Sequence, residues 1–426
     1  MSRQTTRRDA LRILGGGAAL AGLAGCGVFG SPKNSSKKLT LWYWDRSIND
    51  DFLAAAPKHV TGLQLEPNKI GLSFRTKLLT TLAGHSYAPD ITNINSDIAT
   101  YFPDDSAFVD LYTLGARDLK DQYLDWKWEL GVTPSGKMIG FPIDTGPTAL
   151  MYRTDVFKKA GLPTDPDQVA PLVSSWDDYL EFGTRLKKLS KTYLVANIGG
   201  VYGRALGQSP KQYLDKSGKF IGDQAHVKSA WDHAVKASKL GVTARAPDST
   251  NDWNAGVISG SIATIDNAVW EAFVIQQTAP GTSGKWRTCP GPGGAGNSGG
   301  SFMAITKYCR NPKVAFETIK WLQSPENQTK AYTSIQLFPS AVSSLSDPAI
   351  EKTPNKFFGG QPIGEVFGAA AKAIKPAYYS PYDNIASACY AAELLNVESA
   401  GKDPNKAWDD AVSQAKRQLK HVGVTV

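Results

Sequence analysis

The stretch from Gly291 to Gly300 offers two kinds of chemistry at once. Gly291, Gly293 and Gly296 spell GxGxxG, the spacing that lets backbone N–H groups approach a pyrophosphate at a helix N-terminus. Gly296, Ser298 and Gly300 spell GxSxG, which would raise a serine nucleophile on a strand-to-helix turn. Both motifs need a helix directly after them, and the next residues, Ser301–Thr306, read instead as a strand. The chain holds five His, any of which the fold would have to place for a catalytic triad. Asp97 and Asp144 could act as the acid/base pair of a glycan hydrolase if the fold set them about 5–10 Å apart. Asp177-Asp178 comes after Ser175 at the head of an amphipathic run, so it reads as a capped, dipole-matched helix start rather than a catalytic pair. Besides Cys26 there are Cys289, Cys309 and Cys389, which allow one disulfide at most. No CxxC or His–Cys spacing suggests zinc. Eleven Trp and sixteen Tyr are a high aromatic load. Most must serve packing, but an aromatic face also matches the apolar C–H face of a pyranose.

These residues need elements to position them. Lys38–Trp44 alternates as a first strand, Ile48–Lys58 comes next as a short helix and Leu63–Ile70 as a weak strand. Phe74, Leu78, Leu79 and Leu82 recur at helical spacing before Gly84. Ile91–Asn95 is the next strand, and Ile98–Phe102 a helical turn that Asp97 could cap. Met138–Phe141 reads as a strand stopped by Pro142. Asp144–Pro147 is a break, and Ala149–Tyr152 restarts as a second strand that leads into a short helix closed by Gly161. A strand that ends, breaks and restarts can carry a chain from one sheet to another. Further on, Tyr193–Ile198 reads as a strand with a Gly199–Tyr202 loop after it, and Val227–Leu240 as a helix. Residues 363–426 read as mostly helical, ending in an amphipathic helix, Asn405–Leu419.

The 136–163 stretch, Gly-Lys-Met-Ile-Gly-Phe-Pro and then Leu-Met-Tyr-Arg-Thr-Asp-Val-Phe-Lys-Lys-Ala-Gly-Leu-Pro, resembles the inter-lobe crossover of the extracellular solute-binding proteins of ABC importers. The likeness is to their carbohydrate-binding, maltose-binding-protein-like branch, with Arg153 standing where that family usually has Asn. Gly299–Lys307 resembles the second crossover and Leu337-Phe338-Pro339-Ser340 the third. Asn311–Gln328 and the Pro89-Asp90 element match further family stretches. The resemblance implies an α/β type II periplasmic-binding fold of two lobes, with three hinge crossovers and the ligand cleft between lobes. On that basis residues 38–143 with 301–336 form lobe 1, and 144–300 with 337–426 form lobe 2. It also implies the binding residues: Trp44, Asp45 and Arg46 after the first strand, Asn95 and Asp97 after the third, and Asp144 at the crossover. Tyr202, Trp270 and Tyr382 would face the ligand from lobe 2. Trp270 is the foremost of these, as the family's stacking Trp. A bond from Cys289 to Cys309 would, on the same assignment, tie the lobes together across the hinge.

The N-terminus reads as an address. Arg7 and Arg8 lie in a stretch that resembles a twin-arginine export signal, and Leu23-Ala24-Gly25-Cys26 resembles a lipobox whose Cys26 takes the lipid. Residues 1–25 would then be the signal, and 26–37 the anchor and tether on the outer face of the cytoplasmic membrane. The formal charge of +8 falls to about +5 without the signal, and no basic stripe suggests nucleic acid. The expectation is a receptor that binds a sugar or polyol and hands it to membrane permease subunits, with no cofactor and no chemistry. An amino sugar or a glycerophosphodiester stay open as ligands, the latter favoured if Arg46 or Arg204 faces the cleft.

Overall fold

The computed structural model describes residues 38–426 apart from 72, 85 and 86. Arg7, Arg8, Cys26 and the tether therefore lie outside the described residues. Two sheets organise the body. β1 (Lys38–Tyr43), β2 (Gln64–Lys69), β3 (Ile91–Ile94) and β4 (Phe141–Pro142) join one sheet, and β5 (Thr148–Arg153), β6 (Thr264–Ala268) and β7 (Trp286–Cys289) make the other. β8 (Phe302–Ile305) returns to the first, whose order is β2-β1-β3-β8-β4; the second runs β6-β5-β7. β1 pairs in parallel with β2 and β3, while β8 runs antiparallel to both β3 and β4. The central strands are covered on both faces: every residue of β3, β5 and β8 is buried, and β8, Phe-Met-Ala-Ile, is apolar throughout. β2 is the edge, and carries Pro67 and mostly exposed residues, which blunts it against pairing with another chain.

The expected strand at Met138–Phe141 is shorter than its sequence suggests. Met138 makes only an isolated bridge to Val132, and Pro142, expected to stop the strand, is itself paired with Phe302. Arg153, the departure from the family pattern, is buried at the end of β5. Its Nε and Nη2 each donate to Asp155 at 2.8 Å, and Nη1 donates to the Val257 carbonyl, so it fastens the helix Asn251–Ser259 to the sheet.

Three segments pass side by side between the sheets. Ile143 N–H donates to the Ser301 carbonyl (3.0 Å) and Thr145 N–H to the Phe338 carbonyl (2.9 Å). Ser340 Oγ donates to the Ile143 carbonyl, and Ser298 N–H to the Gly146 carbonyl. The Gly-rich run leads into β8 with no helix after it, so neither motif it spells has the context it needs. The last helices cover the second sheet: Ile363–Ala373 packs on β5 and β7, and Asp383–Ala400 lies on the helices Ile198–Gly207 and Ala225–Lys239. The three described cysteines are free and buried, and burial pushes the Cys289 and Cys309 thiols up to about 12. Among the described residues no helix is long and apolar enough to cross a membrane.

Candidate functional site

At the edge of the second sheet lies a cavity of about 130 Å³. β6 turns Thr264 and Asp266 to the face that carries Leu150 and Tyr152, by the two-residue period of a strand. The chain then enters the helix Val269–Thr278, whose first turn delivers Trp270 and Glu271. Asn197 caps the helix Ile198–Gly207 by accepting from Gly200 N–H at 2.8 Å, and Gly200, Val201 and Arg204 of that helix line the cavity. Trp176 and Trp253 complete the wall. Both are buried, whereas Trp270 is 37% exposed and presents the open aromatic face. The Trp270 indole N–H donates to the Ser298 carbonyl at 2.8 Å, which couples it to the second crossover. Gly299, with φ +111°, admits this close approach: a Cβ there would stand 3.1 Å from Trp270 Nε1.

The cavity is acidic. Asp266 Oδ2 is shut off from solvent without a hydrogen-bond partner. Burial pushes its carboxyl up to about 6, opposed by Arg204. Glu271 is pushed up to about 7, by burial first and then by Asp248, while Arg204 and the bond from Asn267 Nδ2 (2.7 Å) pull the other way. Asp248 sits at the rim and accepts from Asn197 Nδ2.

The expected residues divide into groups. Trp44, Asp45, Asn95 and Asp97 come together around a second hollow of about 490 Å³ beside the first sheet. Trp44 meets Phe74 edge-to-face there, and Asp97 pairs with Arg75 at 3.0 Å rather than capping the turn behind it. Trp270 lines the cavity of the other sheet. The remaining four are placed elsewhere. Tyr202 is a correction: the expected strand and loop at 193–202 are isolated bridges and then a helix from Ile198. Helical periodicity turns Tyr202 inward, where it stacks on Tyr390 and bonds Tyr213 OH, and brings Arg204 to the cavity. Arg46 is used by packing: its guanidinium lies 3.3 Å above the Phe273 ring centroid and donates to the Ile335 carbonyl. Asp144 is buried in the crossover, where it accepts from Ser301 N–H at 2.7 Å near the buried Lys127 ammonium. Asp97 thus lines the hollow beside the first sheet while Asp144 is buried in the crossover, and the two share neither that hollow nor the Trp270 cavity. Tyr382 packs against the core, while Tyr378 and Tyr379 of the same loop line a groove of about 570 Å³. That groove has Ser96, Phe102 and Glu129 on its other side.

Trp176, Asp266 and Glu271 do not stand out in the sequence. Trp176 reads there as the start of a packing helix, and Asp266 and Glu271 as ordinary polar residues flanking a strand end. The signal that marks the two acids is their place on either side of Trp270, in a run otherwise apolar enough to be core.

The model of the family described as bacterial extracellular solute-binding protein matches residues 73–358. The lactose-binding protein of Rhizobium radiobacter is 25% identical over 357 residues, 78% of this chain and 81% of its own. The arabinooligosaccharide-binding protein of Bacillus subtilis (strain 168) is 23% identical over 430 residues, 93% of this chain and 96% of its own. A solved extracellular solute-binding protein of family 1 superposes with a TM-score of 0.85 at 28% identity, over 89% of this chain and 99% of that one.

Proposed function

Because the chain belongs to the bacterial extracellular solute-binding proteins and has their two-lobed type II fold, we propose that it captures a sugar in the Trp270 cavity and closes on it. It is a binding protein, not an enzyme. The observation that carries the sugar reading is the cavity itself: an open indole face beside the buried Glu271 and half-buried Asp266 carboxylates, with Asn197, Asn267 and Arg204 around them. Aromatic faces match the C–H face of a sugar ring, and carboxylates accept its hydroxyls in charge-assisted bonds. The named sugar ligands of the two relatives support the same class. A glycerophosphodiester fits less well, since Arg204 faces the cavity together with Asp248, Asp266 and Glu271, which would repel a phosphate.

The lobes are taken as 38–143 with 301–336, and 144–300 with 337–426. The open form admits solute; closure brings the Trp44–Asp97 hollow and the Trp270 cavity to bear on it, and the closed form docks on the permease subunits of an ABC importer. Export through Arg7 and Arg8 and a lipid on Cys26 would hold the body at the outer face of the membrane.

The test is thermal unfolding of the full-length protein in mild detergent against a panel of sugars, polyols and glycerophosphodiesters. A solute that binds only the folded state, at 100 times its Kd, adds about 2.7 kcal/mol. For so long a chain that is a shift of about 3 °C. The expected result is a shift with one sugar class that Trp270→Ala abolishes. A shift with phosphodiesters alone, or none with any sugar, overturns the reading.

A further inference from the structure

We propose that the solute carries a free, protonated amino group that sits between Asp266, Glu271 and the Trp270 ring, so that the ligand class is an amino sugar. The inference rests on the sugar reading and names the chemistry of the same cavity.

Three observations point this way. The first is charge. Three carboxylates, Asp248, Asp266 and Glu271, line the cavity against one guanidinium, that of Arg204. Among the described residues no ion pair within 4.0 Å joins Arg204 to any of them. The other groups that face Asp266, Tyr179 from the helix Trp176–Thr184 and Cys289 from β7, bring no positive charge. A neutral sugar supplies hydroxyl donors but leaves this excess; an ammonium removes it.

The second is the orphaned oxygen. Asp266 Oδ2 has no partner, and the carboxylate is hemmed in from behind, because a Cβ on Gly291 would stand 2.7 Å from Oδ1. The acceptor oxygen is held in place and shut off from solvent with no hydrogen-bond partner in the protein, an arrangement that disfavours the charged form unless a cationic donor reaches it. The raised carboxyl positions of Asp266 and Glu271 are the expected consequence of that geometry.

The third is the wall. Trp176, Trp253 and Trp270 surround the acids. Indole faces attract cations as well as C–H groups, and an aromatic cage closed by carboxylates is a general solution for an ammonium.

The test compares lactosamine with a free amine, N-acetyllactosamine and lactose, together with chitosan disaccharide, its diacetyl form and cellobiose. Binding to the full-length protein in detergent is measured by calorimetry at pH 7.5, 6.5 and 5.5. The expected result is at least ten-fold tighter binding of a free amine than of its neutral counterparts at pH 7.5. The preference should shrink in Asp266→Asn and in Glu271→Gln, and also as the carboxylates take up protons toward pH 5.5. At pH 6.5, binding should release protons, read as a dependence of the heat on buffer ionisation. A neutral or acetylated sugar that binds as tightly as the free amine overturns this inference and leaves the sugar reading standing. Binding by none of these sugars, nor by any in the wider panel, overturns both.

Discussion

Asp266 is a liability to the unliganded fold. Its carboxyl titrates near 6 in the folded chain and at an ordinary 3.8 once unfolded. Between those values the folded state holds the extra proton, so stability falls as pH rises through that window, and the penalty is complete above it. Asp266→Asn is therefore expected to raise stability at pH 7.5 by about 1–3 kcal/mol. The gain should vanish below pH 4, while at pH 7.5 the same variant shows a smaller preference for a free amine. Urea unfolding at the two pH values checks this; an equal gain at pH 4 would mean the stabilisation comes from packing. Trp270 and Tyr202 show what a single residue reveals in sequence. Trp270 is singled out by the family resemblance, and the structure lines the cavity with it. The place of Tyr202 is not legible, because one extra turn of helix, begun at Ile198, rotates the whole face.

At the scale of elements, the crossovers are where backbone freedom is needed. Gly300, at φ +85°, sits where a Cβ would fall 2.7 Å from the Asp144 carbonyl oxygen and 2.9 Å from Lys127 Nζ. Gly294, at φ +108°, has open space around it. Gly294→Ala is thus expected to cost only the left-handed strain, about 1 kcal/mol, and Gly300→Ala about 2 kcal/mol or more because the hinge must also move apart. Denaturant midpoints of the two variants test this, and equal losses would show that the hinge yields freely. Element type is legible where the period is long and the caps plain: Ser175, for instance, accepts from Asp178 N–H as its position before an acidic turn implies. It is not legible at 193–198. There short apolar spacing fits either a strand or a helix entry, and only the isolated bridges from Tyr193 and Val195 to neighbouring segments settle it.

For the whole molecule, the two-sheet plan can be read from the crossover motifs, because a strand that breaks at Gly146-Pro147 and restarts can change sheets, and the family resemblance implies that it does. The cavity cannot be read so well, since it draws on residues from 176 to 271 that only tertiary packing brings together. That packing also has a practical use. The thiols of Cys289, Cys309 and Cys389 are buried and kept neutral by burial, so with Cys26 replaced by serine the folded protein should take up no maleimide, and three equivalents after unfolding. Uptake by the folded form, counted by mass spectrometry, would contradict this burial. A single cysteine at Ser96, on the groove opposite Tyr379, would then carry an environment-sensitive dye at one defined place. The receptor becomes an optical gauge of its own solute, calibrated without redesigning any part of its interior.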